Sequence, residues 1–146
     1  MTRKIIALSL AAISTYIAAV ILVSQLNISQ VVGLGFSVSL SERFAAVFRD
    51  LVGMLSLYLP LVSIALLIAF GFTSLLLMRF INKPATLFPL AGFAALIALH
   101  LILNTVFGVA GIAPTRTIVG LLSQGVAGIL GGYIYYQTAY AGHSLN

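Results

Sequence analysis

Four stretches of nearly unbroken apolar residues, at 5–26, 57–78, 88–108 and 117–136, dominate the chain, and none contains Asp, Glu, Lys or Arg. A helix needs roughly 20 apolar residues to cross about 30 Å of hydrocarbon, so each stretch is long enough to span a bilayer once. The pattern predicts an all-α integral membrane protein, a four-helix bundle forming a single membrane domain over 1–146.

The polar intervals are unequal. The connections around Arg79 to Lys83 and around residues 110–114 are short, which implies antiparallel neighbours. Pro60, Pro89 and Pro114 each fall near the start of an expected span, where a missing N–H matters least. The interval 27–56 is longer and has a pattern of its own. Ser39 and Glu42 have the spacing of a capping box. Beyond them Leu40, Phe44, Val47, Phe48, Leu51, Val52 and Leu55 recur every three or four residues, with Glu42, Arg43, Arg49 and Asp50 on the opposite face. This predicts an amphipathic interfacial helix over about 40–55, lying on the membrane surface between spans one and two. It is preferred to a continuation of span two, because a charged stripe on a long lone rod would have nothing to support it.

Composition agrees with the pattern. Of 146 residues, 62% are hydrophobic and 6% charged, and the mean hydropathy is +1.20, whereas soluble domains carry about 25% charged residues. Seven Lys and Arg stand against two Asp and Glu, but the cations sit singly or in pairs at the ends of apolar runs. That placement signals orientation and gives no nucleic-acid footprint. Arg3, Lys4, Arg79 and Lys83 fall on one side, and Arg43, Arg49 and Arg116 on the other. The expectation is a multi-pass protein of a bacterial inner membrane with both termini in the cytoplasm, and with Tyr133, Tyr135, Tyr136 and Tyr140 as an aromatic belt at that end. The first apolar run has basic residues before it, yet it extends to Val23 without a convincing cleavage site, so it is expected to be an uncleaved span. There is no Cys.

The candidate chemistry lies in the last two spans. His100 and Asn104 are four residues apart and share a helical face. His100 is eight residues from the outer end of its span and Gln124 eight residues in from Arg116, so antiparallel packing sets His100 and Gln124 at one depth, about 12 Å below the boundary. A hydrogen bond between them is expected, with Ser14, Thr15, Tyr16 and Ser63 as further members of a polar interior. An intramembrane His can relay protons, but with no accompanying carboxylate a neutral, hydrogen-bonded structural His is the preferred reading. Gly120, Gly128 and Gly132, in register with Gln124, give span four a face nearly free of side chains, suited to close packing within the chain or, less favoured, to a homo-oligomer seam. Arg116 opposes the dipole of the helix it starts, and Asp50 or Glu42 is its expected partner in an outer ion pair.

With two His, two carboxylates and no Cys, nothing approaches a metal-ligand set, a nucleophilic triad or a phosphate loop, so no enzyme, cofactor or metal is expected. The expected partners are the lipid bilayer and either a second copy or another membrane protein. Two function classes remain. The preferred one is a structural or interaction subunit of a membrane complex or a homo-oligomer. The alternative is a small-solute or ion transporter or channel with a path lined by His100, Asn104 and Gln124. A path requires those residues to border a hydrated cavity, whereas a subunit lets them be buried.

Overall fold

The computed structural model describes residues 2–79, 83–107 and 117–141. Four helices follow one another: α1 (Thr2–Gly33), α2 (Leu40–Arg79), α3 (Pro84–Phe107) and α4 (Ile118–Ala139). All four are long and apolar enough to cross a membrane. They form a four-helix membrane bundle in which each helix packs on two neighbours, in the cyclic order α1, α2, α3, α4.

The spans are therefore as expected, but the segment between the first two is not a surface helix. Residues 40–55 are the beginning of α2, which runs unbroken for 40 residues, about 60 Å. The physical reason lies in α1, which does not stop near residue 26 but continues to Gly33. The two helices support one another: Arg43 Nη1 donates to Gln25 Oε1 at 3.2 Å, and the Tyr16 hydroxyl donates to the Leu51 carbonyl. The charged stripe is thus not carried by a lone rod. The α1–α2 turn closes through Gly35, whose φ of +94° is the left-handed conformation that glycine adopts without a Cβ clash. The capping box at the start of α2 forms as expected, with the Ser39 N–H on Glu42 Oε2 at 2.7 Å and the Glu42 N–H on Ser39 Oγ at 3.3 Å.

α1 and α2 reach as a hairpin past the described residues of α3 and α4. Ala19 is level with Gln124, and Tyr58 with His100, because those pairs are hydrogen-bonded neighbours or share one. Counting outward at 1.5 Å per residue, α1 passes the first residue of α4 by about 12 Å, and α2 passes the last described residue of α3 by about 16 Å. Leu40, Phe44 and Phe48 in this part of α2, and Val52 at its base, are 73%, 75%, 69% and 61% exposed. They form one outward row at four-residue spacing, while Val47 and Leu51 are partly buried.

Prolines also sit deeper than expected. Pro60 lies twenty residues inside α2 and Pro89 five inside α3. Pro84 instead takes the first position of α3, after which the Leu87 N–H closes the first turn on the Lys83 carbonyl at 3.1 Å. Pro114 lies outside the described residues.

Small residues let the core close. Ala7, Ala11, Thr15 and Ala19, all buried on one face of α1, meet α4 at Gly131, where an added Cβ would run into the Thr15 hydroxyl. On the neighbouring face of α4, a Cβ at Gly128 would overlap the Gly92 carbonyl, and one at Gly132 the Phe88 carbonyl. Backbone is thus against backbone across α3 and α4, and dispersion contact rather than hydrophobic drive holds helices together in lipid. The face that includes Gly128 and Gly132 is consumed within the chain; Gly120 is buried as well. The α2–α3 seam is looser, an open apolar groove of about 480 Å³ with Ala91, Ala94, Ala95 and Ala98 along one wall.

Gly128→Ala forces the α3 and α4 backbones apart and is expected to cost about 2 kcal/mol, in the range of overpacked cores. Gly71→Ala, with open space around the new methyl, is expected to raise stability by about 0.5 kcal/mol through helix propensity. Thermal unfolding of the two variants in detergent checks the opposite signs.

Candidate functional site: a polar chain across four helices

His100 (α3) and Gln124 (α4) come to one depth as the sequence predicts, but they are joined by a residue from a third helix. The Tyr58 hydroxyl of α2 is 2.8 Å from Gln124 Oε1 and 3.0 Å from His100 Nε2. Gln124 Nε2 in turn donates to the Ala19 carbonyl of α1 at 3.3 Å. All three side chains are buried: Tyr58 is 5%, His100 4% and Gln124 0% exposed.

The proton positions follow from what each atom can do. The Ala19 carbonyl only accepts, so the Gln124 amide must turn its nitrogen there and its oxygen to Tyr58. That oxygen also only accepts, so Tyr58 spends its single proton on it. The Tyr58 oxygen is then an acceptor towards His100, whose Nε2 must carry hydrogen. The chain reads His100 Nε2–H to Tyr58 O–H to Gln124 Oε1, then Gln124 Nε2–H to Ala19 C=O, with every donor pointing the same way. It assigns the neutral His100 its Nε2–H tautomer. In a medium that offers no water, each link removes a pair of polar groups that would otherwise be unsatisfied.

Local structure fixes the members. Tyr58 and His100 rings are 5.7 Å apart and Tyr16 and Tyr58 rings 6.1 Å, distances typical of aromatic packing. Gln124 is carried on the glycine-rich helix, next to Gly125, where the Phe93 ring fills the space a side chain would take. Thr117 caps that helix, accepting from the Gly120 N–H at 3.0 Å.

Other expected members are elsewhere. Asn104 is exposed: four residues on, the helical face has turned about 40°, and α4 offers only its first turn at that level. Ser14 and Ser63 bond back to carbonyls of their own helices, at 2.6 Å to Leu10 and 2.8 Å to Leu59. Thr15 is buried with no hydrogen-bond partner among the described residues, facing Gly131 instead. In the expected outer ion pair, Glu42 is committed to Ser39, Asp50 is half-buried on α2, and Arg116 lies outside the described residues. Among the tyrosines, Tyr135 is not in a belt but in the core, 4.6 Å from the Phe70 ring and 4.8 Å from Phe88, since consecutive residues 100° apart cannot all face lipid.

Tyr58 is the residue that sequence reasoning missed. With span two taken to begin at 57, it sat at the boundary; with α2 beginning at 40, it is deep. Its place on the face that buries Val62, Leu66 and Phe70, at four-residue spacing, was the available signal.

Among the described residues no group of three His, Asp or Glu is placed to hold a metal. Compared with protein-family models, with curated proteins and with solved structures, the chain matches none.

Tyr58→Phe orphans both His100 Nε2–H and Gln124 Oε1, whereas His100→Leu removes one end of the chain and leaves the Tyr58–Gln124 bond intact. The expected order of destabilisation is Tyr58→Phe above His100→Leu, the former costing about 1–3 kcal/mol. Unfolding in detergent gives the order, and nitrogen chemical shifts of His100 check the Nε2–H tautomer independently.

Proposed function

We propose that the chain is a structural or interaction subunit, docking on another membrane protein or on a second copy, rather than an enzyme or a conduit. The observation that carries this reading is the exposed row Leu40, Phe44 and Phe48, continued by Val52, on a hairpin that reaches past the described residues of α3 and α4. Counting eight residues outward from Tyr58 sets the hydrocarbon edge near residue 50 of α2, so Leu40 and Phe44 stand beyond it and Phe48 at it, and large apolar side chains exposed there are a feature of surfaces that meet a partner. The polar interior supports it from the other direction. His100 and Gln124 are buried and spend hydrogen bonds on Tyr58 and Ala19, and Asn104 is exposed, which is the arrangement of interhelical cross-links rather than of a lined path.

The proposed setting is a bacterial inner membrane with both termini in the cytoplasm. Arg3, Lys4, Arg79 and Lys83 at one end of the bundle support that orientation through the positive-inside rule, and the first span, which carries two of them, usually dominates. The hairpin then projects on the outer side.

A photo-crosslinking amino acid at Phe48, in the full chain in its own membrane, should give a discrete protein adduct, of twice the chain mass for a second copy and another fixed mass for a different partner. The same probe at Ile17, exposed on α1 within the span, should give none. Equal labelling at both positions, or solute flux in proteoliposomes abolished by His100→Leu, would overturn the subunit reading.

A further inference from the structure

At the end of the bundle opposite the hairpin, α1, α2, α3 and the end of α4 enclose a cleft of about 310 Å³ lined by Lys4, Ser74, Leu77, Met78, Pro84 and Tyr140. We propose that this cleft binds a phosphate group, supplied by the headgroup of an anionic phospholipid.

Charge is the first reason. Arg3 and Lys4 at the start of α1, Arg79 at the end of α2 and Lys83 before α3 all converge on this end. The chain has only two acidic side chains, Glu42 and Asp50, and both lie in the first eleven residues of α2. Asp50 is 29 residues from Arg79 along the same helix, about 43 Å, far beyond a Debye length at physiological salt of about 8 Å. Four cations thus share one end with no Asp or Glu side chain within reach, and a low-dielectric surface raises the cost of leaving them so.

Geometry is the second. The Lys4 ammonium lies 5.8 Å from the centre of the Tyr140 ring, held by a cation–π contact that leaves its N–H donors available. The Tyr140 ring is fixed against Phe88 at 5.0 Å, on the aromatic cluster formed with Tyr135 and Phe70. Its hydroxyl is 3.5 Å from the Ser74 hydroxyl. Ser74 has already given its proton to the Phe70 carbonyl at 2.8 Å, so Ser74 can only accept from Tyr140, and at that distance weakly. The Tyr140 O–H is therefore a fixed donor with a poor partner, beside a fixed ammonium, and the positive N-terminal end of the 24-residue α3 forms the third wall at Pro84. An oxyanion would replace the long Ser74 contact with charge-assisted bonds from Lys4 and Tyr140. Arg3 is tied in place nearby by its Nε bond to the Thr138 carbonyl at 2.7 Å.

The source of the phosphate follows from the position. All four helices end at this level, so the cleft opens at the headgroup layer, and its apolar wall of Leu77 and Met78 continues onto exposed α2 surface along which an acyl chain can lie. Basic pockets between membrane helices bind anionic headgroups in this way. A phosphate held here serves a subunit and a transporter equally.

The test uses the full chain in detergent, titrated separately with phosphatidylglycerol, phosphatidylcholine and inorganic phosphate, with bound lipid read by native mass spectrometry and stability by thermal unfolding. Phosphatidylglycerol should be retained and stabilising, phosphatidylcholine much less so. Lys4→Gln and Tyr140→Phe should each weaken phosphatidylglycerol retention roughly tenfold, about 1.4 kcal/mol, while Arg49→Gln at the other end leaves it unchanged. A response to inorganic phosphate that Lys4→Gln abolishes would keep the phosphate site and reassign its source. Lipid retention that is indifferent to Lys4 and Tyr140, or lost equally with Arg49→Gln, would overturn the site.

Discussion

One directional hydrogen-bonded chain passes through every helix: from His100 on α3 through Tyr58 on α2 and Gln124 on α4 to the Ala19 carbonyl on α1. In water such bonds merely exchange for solvent bonds, but in hydrocarbon there is no solvent to exchange with. Each individual link in a membrane is worth only about 1 kcal/mol or less on average. Their geometric effect is larger, because the chain closes only when all four helices hold one depth and one rotation. Sliding α2 by a single turn would move Tyr58 about 5 Å and break two links at once. The glycine contacts of α4 with α3 and α1 then act on helices whose register is already set, and add close dispersion contact along the seam.

The two kinds of contact divide the bundle unevenly. On α4, glycines at 128, 131 and 132 bring neighbouring backbones close on both sides, so α4 is the hub on which α1 and α3 are mounted. On the far side of the bundle, α2 meets α3 through ring contacts such as Phe70 with Phe88 at 5.6 Å, and an alanine-walled groove remains open between them. Within the bundle α2 is therefore held by side chains rather than by backbone proximity. It is also the longest helix, and with α1 it builds the hairpin. Its outer end is tied to α1 alone, through Arg43 and Leu51, and its middle to α3 and α4 through Tyr58.

Much of this was legible in the sequence, and what was not has a common cause. Hydrocarbon thickness makes span number and class readable from apolar length alone, and the Ser39–Glu42 cap is local enough to need no tertiary knowledge. The shared depth of His100 and Gln124 was also readable, since it requires only counting from two ends of a tight connection. The ends of α1 and α2 were not readable, because beyond the hydrocarbon a polar stretch such as Asn27, Ser29 and Gln30 suits a loop and a helix supported by its neighbour equally well. That single uncertainty propagated. It turned the start of α2 into a surface helix and placed Tyr58 at the boundary, so that the middle link of the polar chain was hidden. Asn104 failed for a different reason: sharing a helical face is not sharing a neighbour, and the partner helix covers that face only partway.

The order in which a ribosome delivers the four helices adds a consequence to the polar chain. Tyr58 enters the bilayer with α2, before either of its partners exists, and His100 follows on α3. On that order Gln124 is delivered last, and only then do the Tyr58 proton and the Ala19 carbonyl find the amide that joins them. Until that moment Tyr58 and His100 have only one another, and the Ala19 carbonyl has no side-chain amide to accept from. An unfinished copy therefore differs from a finished one by an incomplete polar chain as well as by a missing segment.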